Sequence, residues 1–315
     1  MSAYQLKIRQ HRNFLFIPLV ALCYLIPLTT CAQNVDLFKQ QDELDKKEAK
    51  EKTDITTSIF KTTRLVNGQT IENTGRGILD VKISHRFGTL NTGAYNFYGL
   101  DQATMRIGLD YGVTDRLEVG VGRSTYNKEF DGFFKYRILR QSTGKIEMPV
   151  SVSYAGTAIW RSLKDQPEPY AINSSDHFYY ANQVILARKF DDFFSLQLVP
   201  TVVHYNITPT QAIPNDFYSM GIGLRQRISK RVNLTAEYYY QVNRDPGYYN
   251  SLSLGVDIET GGHVFQFFMT NSTGINESSF ITQTDGQWLK GYIHFGFNIS
   301  RVFTVVKPKT ITGNK

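Results

Sequence analysis

Cysteine is almost absent from this sequence, since its 315 residues contain only Cys23 and Cys31. Both lie within the first 32 residues, so a chain that loses this leader has no thiol. Without thiols, disulfides, thiolate metal sites and cysteine nucleophiles are excluded. Any chemistry of the mature chain must therefore come from other residue types.

Long apolar runs are missing downstream of the leader. From about residue 55 onward no stretch reaches the roughly 20 apolar residues that a transmembrane helix needs. The hydrophobic fraction is 41%, whereas the aromatic fraction is 13%, with 19 Tyr and 21 Phe. Such a composition indicates a β-rich membrane wall rather than a helical membrane protein.

The leader has the three parts of a secretory signal peptide. Its apolar stretch runs from residue 14 to residue 30, and small residues precede a cut after Ala32. Three basic residues come first, at Lys7, Arg9 and Arg12. We therefore predict a signal peptide at residues 1–32 and an exported protein.

Two other interpretations of the leader stay open. A retained membrane helix is disfavoured because Pro18 and Pro27 interrupt a short apolar span. Lipidation of Cys31 is disfavoured because the bulky Thr30 stands directly before it. The signal peptide remains the leading interpretation.

Alternating apolar and polar residues dominate the chain after residue 76. Between residues 102 and 122, Ile107 and Leu109 fall on one parity, whereas Arg106 and Asp110 fall on the other. The same alternation recurs at residues 78–87, 217–228, 232–242 and 252–258. A period of two predicts strands with one apolar and one polar face.

The alternating segments predict an antiparallel up-and-down transmembrane β-barrel of about twelve strands, an all-β fold. Short turns on one side and mostly longer loops on the other are typical of outer-membrane barrels. The predicted strands start near residues 76, 102, 117, 130, 145, 177, 193, 217, 232, 249, 262 and 289. A soluble sandwich is the alternative, and aromatic residues crowded at the strand ends argue against it.

The predicted barrel domain spans residues 58–303. A polar, charged periplasmic tether precedes it at residues 33–57, and a basic C-terminal tail follows at residues 304–315. Residues 58–66 are either an extra strand or a stretch tucked against the barrel mouth. These features predict a location in the cell outer membrane.

Several clusters resemble a Bacteroidota family of predicted outer-membrane β-barrel proteins of unknown function. The clusters are residues 84–88, 97–101, 260–266 and 297–303, and the resemblance covers about residues 58–303. It implies a membrane-embedded barrel. It carries no catalytic or binding residues to transfer to this chain.

Charged residues of both signs fall on the parity that would face the lumen. Two interpretations stay open: the charges pair across strands and hold a narrow lumen shut, or they form a constriction that selects small solutes. A lumen of twelve strands is intermediate between a filled barrel and a wide channel, and the candidates to plug it are inward Tyr239, Phe268 and long Arg residues, or residues 58–75. The residues that we predict to set selectivity are Arg106, Asp110, Glu118, Arg225, Arg227 and Glu237.

Catalysis and metal binding have little support in the sequence. A lipid-hydrolysing barrel would need a His and a Ser two residues apart on one strand face, and no His of the mature chain has a Ser two residues later. The histidines also lack the close spacing of metal ligands. We therefore predict no enzyme activity, no catalytic residues, no metal and no cofactor.

The leading functional prediction is a narrow passive pore for small polar solutes with a mixed-charge lumen. The alternative is a closed barrel that acts as a scaffold or docking module in an outer-membrane complex. Expected partners are outer-membrane lipid, the barrel-assembly machinery and a small polar solute. Nucleic acid is not expected, because residues 1–32 hold three Lys or Arg and no acid, so the formal charge falls from +7 to only +4 without them.

Overall fold

A computed structural model describes residues 51–163 and 173–306. The predicted signal peptide, the tether up to residue 50 and the tail beyond residue 306 lie outside the described residues. The described residues contain fourteen strands, which we number β1 to β14 in chain order. They are Thr53–Ile55, Ile78–Thr89, Ala103–Gly112, Leu117–Ser124, Glu129–Leu139, Ser142–Gly144, Ser151–Arg161, Phe178–Lys189, Phe194–Tyr205, Asp216–Arg227, Val232–Gln241, Ser251–Thr260, His263–Thr270 and His294–Thr304.

Twelve of these strands form one closed antiparallel barrel. Successive barrel strands pair along the chain, and β14 closes the ring by pairing with β2. Closure leaves no unpaired strand edge. The all-β, twelve-stranded, up-and-down barrel predicted from the sequence is confirmed.

The two remaining strands, β1 and β6, pair with each other outside the barrel, with Thr53 opposite Gly144. Their pairing explains one error in the predicted boundaries. The fifth barrel strand, expected from about residue 145, starts at Ser151 as β7. The residues just before it are used by β6 and by a bridge between Ser142 and Met148.

The barrel wall has an apolar outside and a mainly polar inside. On β3, Ile107 and Leu109 are 47% and 43% exposed, whereas Arg106 and Asp110 are 1% and 0% exposed. A soluble sandwich would bury the apolar set, so that interpretation is wrong. The polar parity faces the lumen because successive side chains of a strand point to opposite faces.

The ends of the barrel differ. The first and last barrel strands meet where Ile78 pairs with Thr304, and we call this the terminal end and the opposite end the loop end. Within the described residues, one α-helix, α1 at Glu277–Thr282, and five short 3-10 helices connect the strands. The 3-10 helices are Leu90–Thr92, Ala94–Gly99, Tyr126–Lys128, Ser174–His177 and Trp288–Lys290. None of the helices within the described ranges is long and apolar enough to cross a membrane.

Residues 58–75, the N-terminal plug, lie inside the lumen. The plug contains a hairpin in which Arg64 bridges to Gln69, and the amide of Thr70 donates to the carbonyl of Thr63 at 2.9 Å. Its Phe60 side chain is buried. Of the interpretations of the sequence, the extra strand and the stretch against the barrel mouth are wrong, and the structure agrees with the third, in which residues 58–75 plug the lumen. The segment enters the barrel from the terminal end.

A second segment, residues 271–284, fills the loop end of the lumen. It follows β13, contains α1, and we call it the inward loop. Phe280 and Ile281 are fully buried in it, and they pack against inward side chains such as Tyr239. Plug and inward loop therefore fill the barrel from opposite ends.

The inner face of β7, β8 and β9 contains an apolar patch. Ala155, Ile185 and Val199 point inward and form a cluster with Phe60 and Leu65 of the plug. Most inward residues of β8 are apolar, as its outward residues mostly are, whereas β7 and β9 also direct Ser153, Thr157, Gln197 and Thr201 inward. This explains why the parity of residues 178–190 is ambiguous in the sequence.

Candidate functional site

Arg106 and Asp110 share the inner face of β3 but bond to different neighbours. They lie two strand steps apart, about 13 Å, which is too far for a direct bond. The guanidinium of Arg106 crosses β4 to reach Asp131 on β5, and its Nε donates to Asp131 Oδ1 at 2.9 Å. Gly122 on β4 permits this crossing, because a Cβ there would collide with the guanidinium. Asp110 pairs with Lys82 on β2.

Glu118 joins the barrel wall to the N-terminal plug. Its Oε2 lies 3.4 Å from Lys135 Nζ and accepts a hydrogen bond from the amide of Thr74 at 2.9 Å. All of these groups are buried. The charges on β2 to β5 therefore pair across strands, as one of the two interpretations of the sequence proposes, and they also hold the plug.

Glu237 binds the turn of the plug hairpin from the middle of β11. Its carboxylate accepts hydrogen bonds from the amides of Val66 at 3.3 Å, Asn67 at 2.9 Å and Gly68 at 3.1 Å. Glu237 is buried. A carboxylate that accepts three amide protons forms charge-assisted bonds, which are stronger than bonds between neutral groups. This residue anchors the tip of the plug.

Substituting Glu237→Gln should loosen that tip. The amide side chain has one acceptor oxygen and no charge, so the turn loses about 1.5–3 kcal/mol of bonding. We expect hydrogen exchange of the Val66, Asn67 and Gly68 amides to accelerate roughly tenfold or more, measured by mass spectrometry. The matched control is Glu259→Gln, because Glu259 also contacts the plug, at 3.0 Å from Lys61, but in an exposed position. Equal hydrogen-exchange rates of these three amides in Glu237→Gln and Glu259→Gln would contradict an anchoring role for Glu237.

Plug and inward loop meet at two arginines. Arg64 of the plug donates through Nη1 to Glu277 Oε1 of the inward loop at 3.0 Å. Arg86 on β2 donates to the carbonyls of Ser272, at 3.2 Å, and Gly274 in the inward loop, and to the side chain of Asn67 in the plug. The two segments and the wall are thus joined by polar bonds in the centre of the lumen.

The inward loop has a further anchor on β5. The carboxylate of Glu129 accepts hydrogen bonds from Asn276 Nδ2 at 3.0 Å and Ser279 Oγ at 3.1 Å. All three residues are buried. The inward loop is therefore attached to the wall through a carboxylate, as the plug is through Glu237.

Arg225 and Arg227 lie toward the terminal end of β10. Arg225 donates to the carbonyl of Ser58 at 3.2 Å and to Ser195 Oγ at 3.3 Å. Arg227 is only half-buried, and its guanidinium carbon lies 4.9 Å from the ring centre of Phe193. The structure therefore brings five of the six predicted selectivity residues to the filled lumen and leaves Arg227 at its rim. Their role in selectivity stays a prediction.

Several lumen residues were missed by the sequence reasoning. Glu129 and Asp131 share the parity of Lys135 on β5, so the alternation of that strand could have identified them. Arg64 and Glu277 lie in segments without alternation, and no pattern in the sequence indicates that they face each other. The prediction that the chain is not an enzyme stays a prediction.

One protein family matches most of the chain. The family profile described as "Membrane bound beta barrel domain (DUF5777)" matches residues 60–303. No curated protein matches the sequence. The matched range contains the N-terminal plug from Phe60 onward and almost the whole barrel.

Solved structures of barrels resemble the chain only distantly. The NanC porin shares 10% identity over 72% of this chain and 100% of its own, with a TM-score of 0.46. The KdgM porin shares 8% over 72% of this chain and 99% of its own, with a TM-score of 0.44. The COG4313 outer membrane channel from Pseudomonas putida F1 shares 12% over 74% of this chain and 98% of its own, with a TM-score of 0.45. At these values the likeness concerns general barrel shape alone.

Proposed function

Because this chain belongs to the family of membrane bound beta barrel domains (DUF5777), and because two of its own segments fill the lumen, we propose that it is a channel that is closed at rest. It opens when the N-terminal plug leaves the lumen and then passes small polar solutes. The observation that carries this proposal is the polar attachment of the plug, above all Glu237 on the amides of the hairpin turn.

The location follows from the family and the fold. Bacterial outer-membrane barrels have an even number of antiparallel strands, short periplasmic turns and longer outside loops, and an even strand count puts both ends of the chain on the periplasmic side. The predicted location in the outer membrane is confirmed, and the apolar outer wall contacts outer-membrane lipid. A Bacteroidota origin, insertion by the barrel-assembly machinery and cleavage after Ala32 are parts of the proposal.

The chemistry of the lumen supports a channel that opens. Buried polar groups of a permanently filled core are expensive unless every one is paired, so an apolar filling would be the simpler way to seal a barrel. Here charged side chains of β2 to β5 and β11 line the wall, and water can replace their bonds to the plug. In an open state Arg106, Asp110 and Glu118, with Arg225, Arg227 and Glu237, line the solute path and set its charge preference.

A disulfide lock tests this function directly. Asn67 Nδ2 of the plug donates to Ser253 Oγ of β12 at 3.0 Å, so the two side chains are in contact. The mature chain lacks cysteine, so Asn67→Cys combined with Ser253→Cys introduces the only two thiols. In planar bilayers, we expect the oxidised variant to be silent and the reduced variant to show discrete openings. The single Asn67→Cys variant is the control, and silence of every form at all voltages would contradict the channel.

A second candidate function, the closed scaffold or docking module, is favoured by the depth at which both segments are buried. Arg64, Arg86 and Glu277 are almost fully buried and join plug, wall and inward loop. A permanently closed barrel would keep these bonds under all conditions. The protection of the amides of residues 58–75 from hydrogen exchange separates the two candidates, because a channel that opens exposes them at the rate of opening.

A further inference from the structure

A continuous row of aromatic rings crosses the outer wall at the loop end of the barrel. It extends over β5, β7, β8 and β9, with neighbouring rings nearly parallel. The centres of successive rings are 5.7, 6.4, 6.3 and 6.4 Å apart. The rings belong to Phe130, Trp160, Phe178, Tyr180 and His204. Aromatic side chains at this level of a membrane barrel lie near the lipid headgroups.

A groove lies in the outer wall directly below this row. Its volume is about 550 Å³. Gly132 and Gly156 floor it, whereas Val121, Phe134 and Tyr180 are among its walls. A Cβ added to Gly132 would meet no atom closer than the carbonyl oxygen of Gly120, at 3.9 Å, so the floor is open to a ligand at Gly132, whereas the Phe134 ring covers Gly156, where a Cβ would lie 2.8 Å from it. The groove faces the hydrocarbon of the bilayer, since eight of its eleven lining residues belong to the outward parity and only Gly120, Phe133 and Thr157 belong to the inward one.

One polar side chain projects into this apolar groove. Asn182 lines it, and its Oδ1 accepts a hydrogen bond from the hydroxyl of Tyr154 at 2.6 Å. The Nδ2 group of Asn182 has no partner among the described residues. Unpaired polar groups in hydrocarbon are costly and mark functional positions. The two protons of this Nδ2 group are available to donate hydrogen bonds to the carbonyl oxygen of an acyl ester or amide.

A positive charge stands above the groove. Arg123 lies on the outer face of β4, opposite Phe130 in the strand register, with its guanidinium carbon 5.3 Å from the centre of that ring. It is two residues, about 7 Å, from Val121 in the groove. Lys128 is exposed in the adjacent connection. Among the described residues no carboxylate pairs with Arg123, and guanidinium groups bind phosphate through paired hydrogen bonds.

We propose that this surface, the outer-wall site, binds a phosphate-bearing lipid of the outer leaflet. An acyl chain lies in the groove, Asn182 donates to an acyl carbonyl, and the phosphate lies at Arg123 beside the aromatic row. A second copy of the chain fits less well. A two-fold interface brings the same patch of both copies together, and two concave grooves leave a gap between them.

Native mass spectrometry of residues 33–315 in mild detergent tests the site. The probe is diphosphoryl lipid A, and diacylglycerol, which has acyl esters but no phosphate, is the comparison lipid. Gly132→Leu fills the groove, and Arg123→Gln removes the charge. The matched control is Ala236→Leu, on the outer face of β11, which pairs with Leu224 and Leu254 away from the groove.

We expect one tightly bound lipid A per barrel, and about tenfold weaker binding in Gly132→Leu and in Arg123→Gln but not in Ala236→Leu. Arg123→Gln should leave diacylglycerol binding unchanged, because this lipid has no phosphate to meet the guanidinium. Heat-dependent gel mobility verifies folding. Ala158→Leu, in the same groove, replaces Gly132→Leu if that variant does not fold, and Arg123→Met replaces Arg123→Gln. Equal lipid A binding in all variants would show general annular lipid and overturn the site. A dimer that Gly132→Leu dissociates without a change in lipid binding would overturn it in favour of a second copy.

Discussion

Deleting residues 58–75 is expected to convert a barrel that passes little current at rest into one with steady single-channel conductance. These residues provide Phe60, Leu65 and the hairpin that occupies the terminal half of the lumen. Their removal exposes the charged wall of β2 to β5 to water. It also exposes the apolar patch on the inner face of β7 to β9, so we expect the deleted barrel to be less stable in urea than the intact chain. Planar-bilayer recording of the purified, refolded barrel measures the effect.

The inward loop provides the control for this deletion. If it alone closes the loop end, removal of the plug gives a small conductance, and further removal of residues 274–284 increases it. Heat-dependent gel mobility verifies that each variant forms a barrel. A doubly deleted barrel that folds and still passes no current would end the channel proposal and favour the closed module. If the barrel conducts, Arg106→Ala in the deleted background should shift the reversal potential toward cation preference, because a fixed positive charge is lost.

The barrel was predictable because apolar and polar residues alternate along a strand wherever the lipid on one side and the lumen on the other differ in polarity. Ile107 and Arg106 are typical of that pattern, and the strand count followed from it. The pattern is weakest on β8, where inward Ala181, Ile185 and Ala187 face other apolar side chains. Strands that are apolar on both faces inside a membrane barrel are thus a sign of an internal plug, and residues 58–75 were the available candidate.

The candidate site was predictable only in part. The inward direction of Asp110 and Glu118 follows from parity, whereas their partners depend on strand register and on segments without periodicity. Asp110 pairs one strand away, but Arg106 reaches two strands away because Gly122 leaves room. Arg64 and Glu277 are 213 residues apart in sequence, and only the insertion of both segments into one lumen brings them together.

Substituting Arg106→Met is expected to destabilise the closed barrel by about 3–5 kcal/mol, since Asp131 then remains buried as an unpaired carboxylate. Both side chains of this pair are at most 1% exposed. Urea unfolding of the barrel in lipid vesicles, followed by tryptophan fluorescence, measures the change in the free energy of unfolding. The matched control is Lys189→Met, because Lys189 pairs with Asp192 at 2.9 Å near the terminal end while Asp192 is 68% exposed. That pair should contribute less than about 1 kcal/mol.

The double variant Arg106→Met with Asp131→Leu decides what the pair contributes. It removes both charges and fills the space with apolar side chains, so we expect most of the stability lost in Arg106→Met to return. A double variant as unstable as the single one would instead mean that Arg106 acts through its packing over Gly122 rather than through its charge. Recovery of stability would show that the buried pair is not needed for folding. Its presence in the wall would then be explained by the open state, in which both charges meet the solute path.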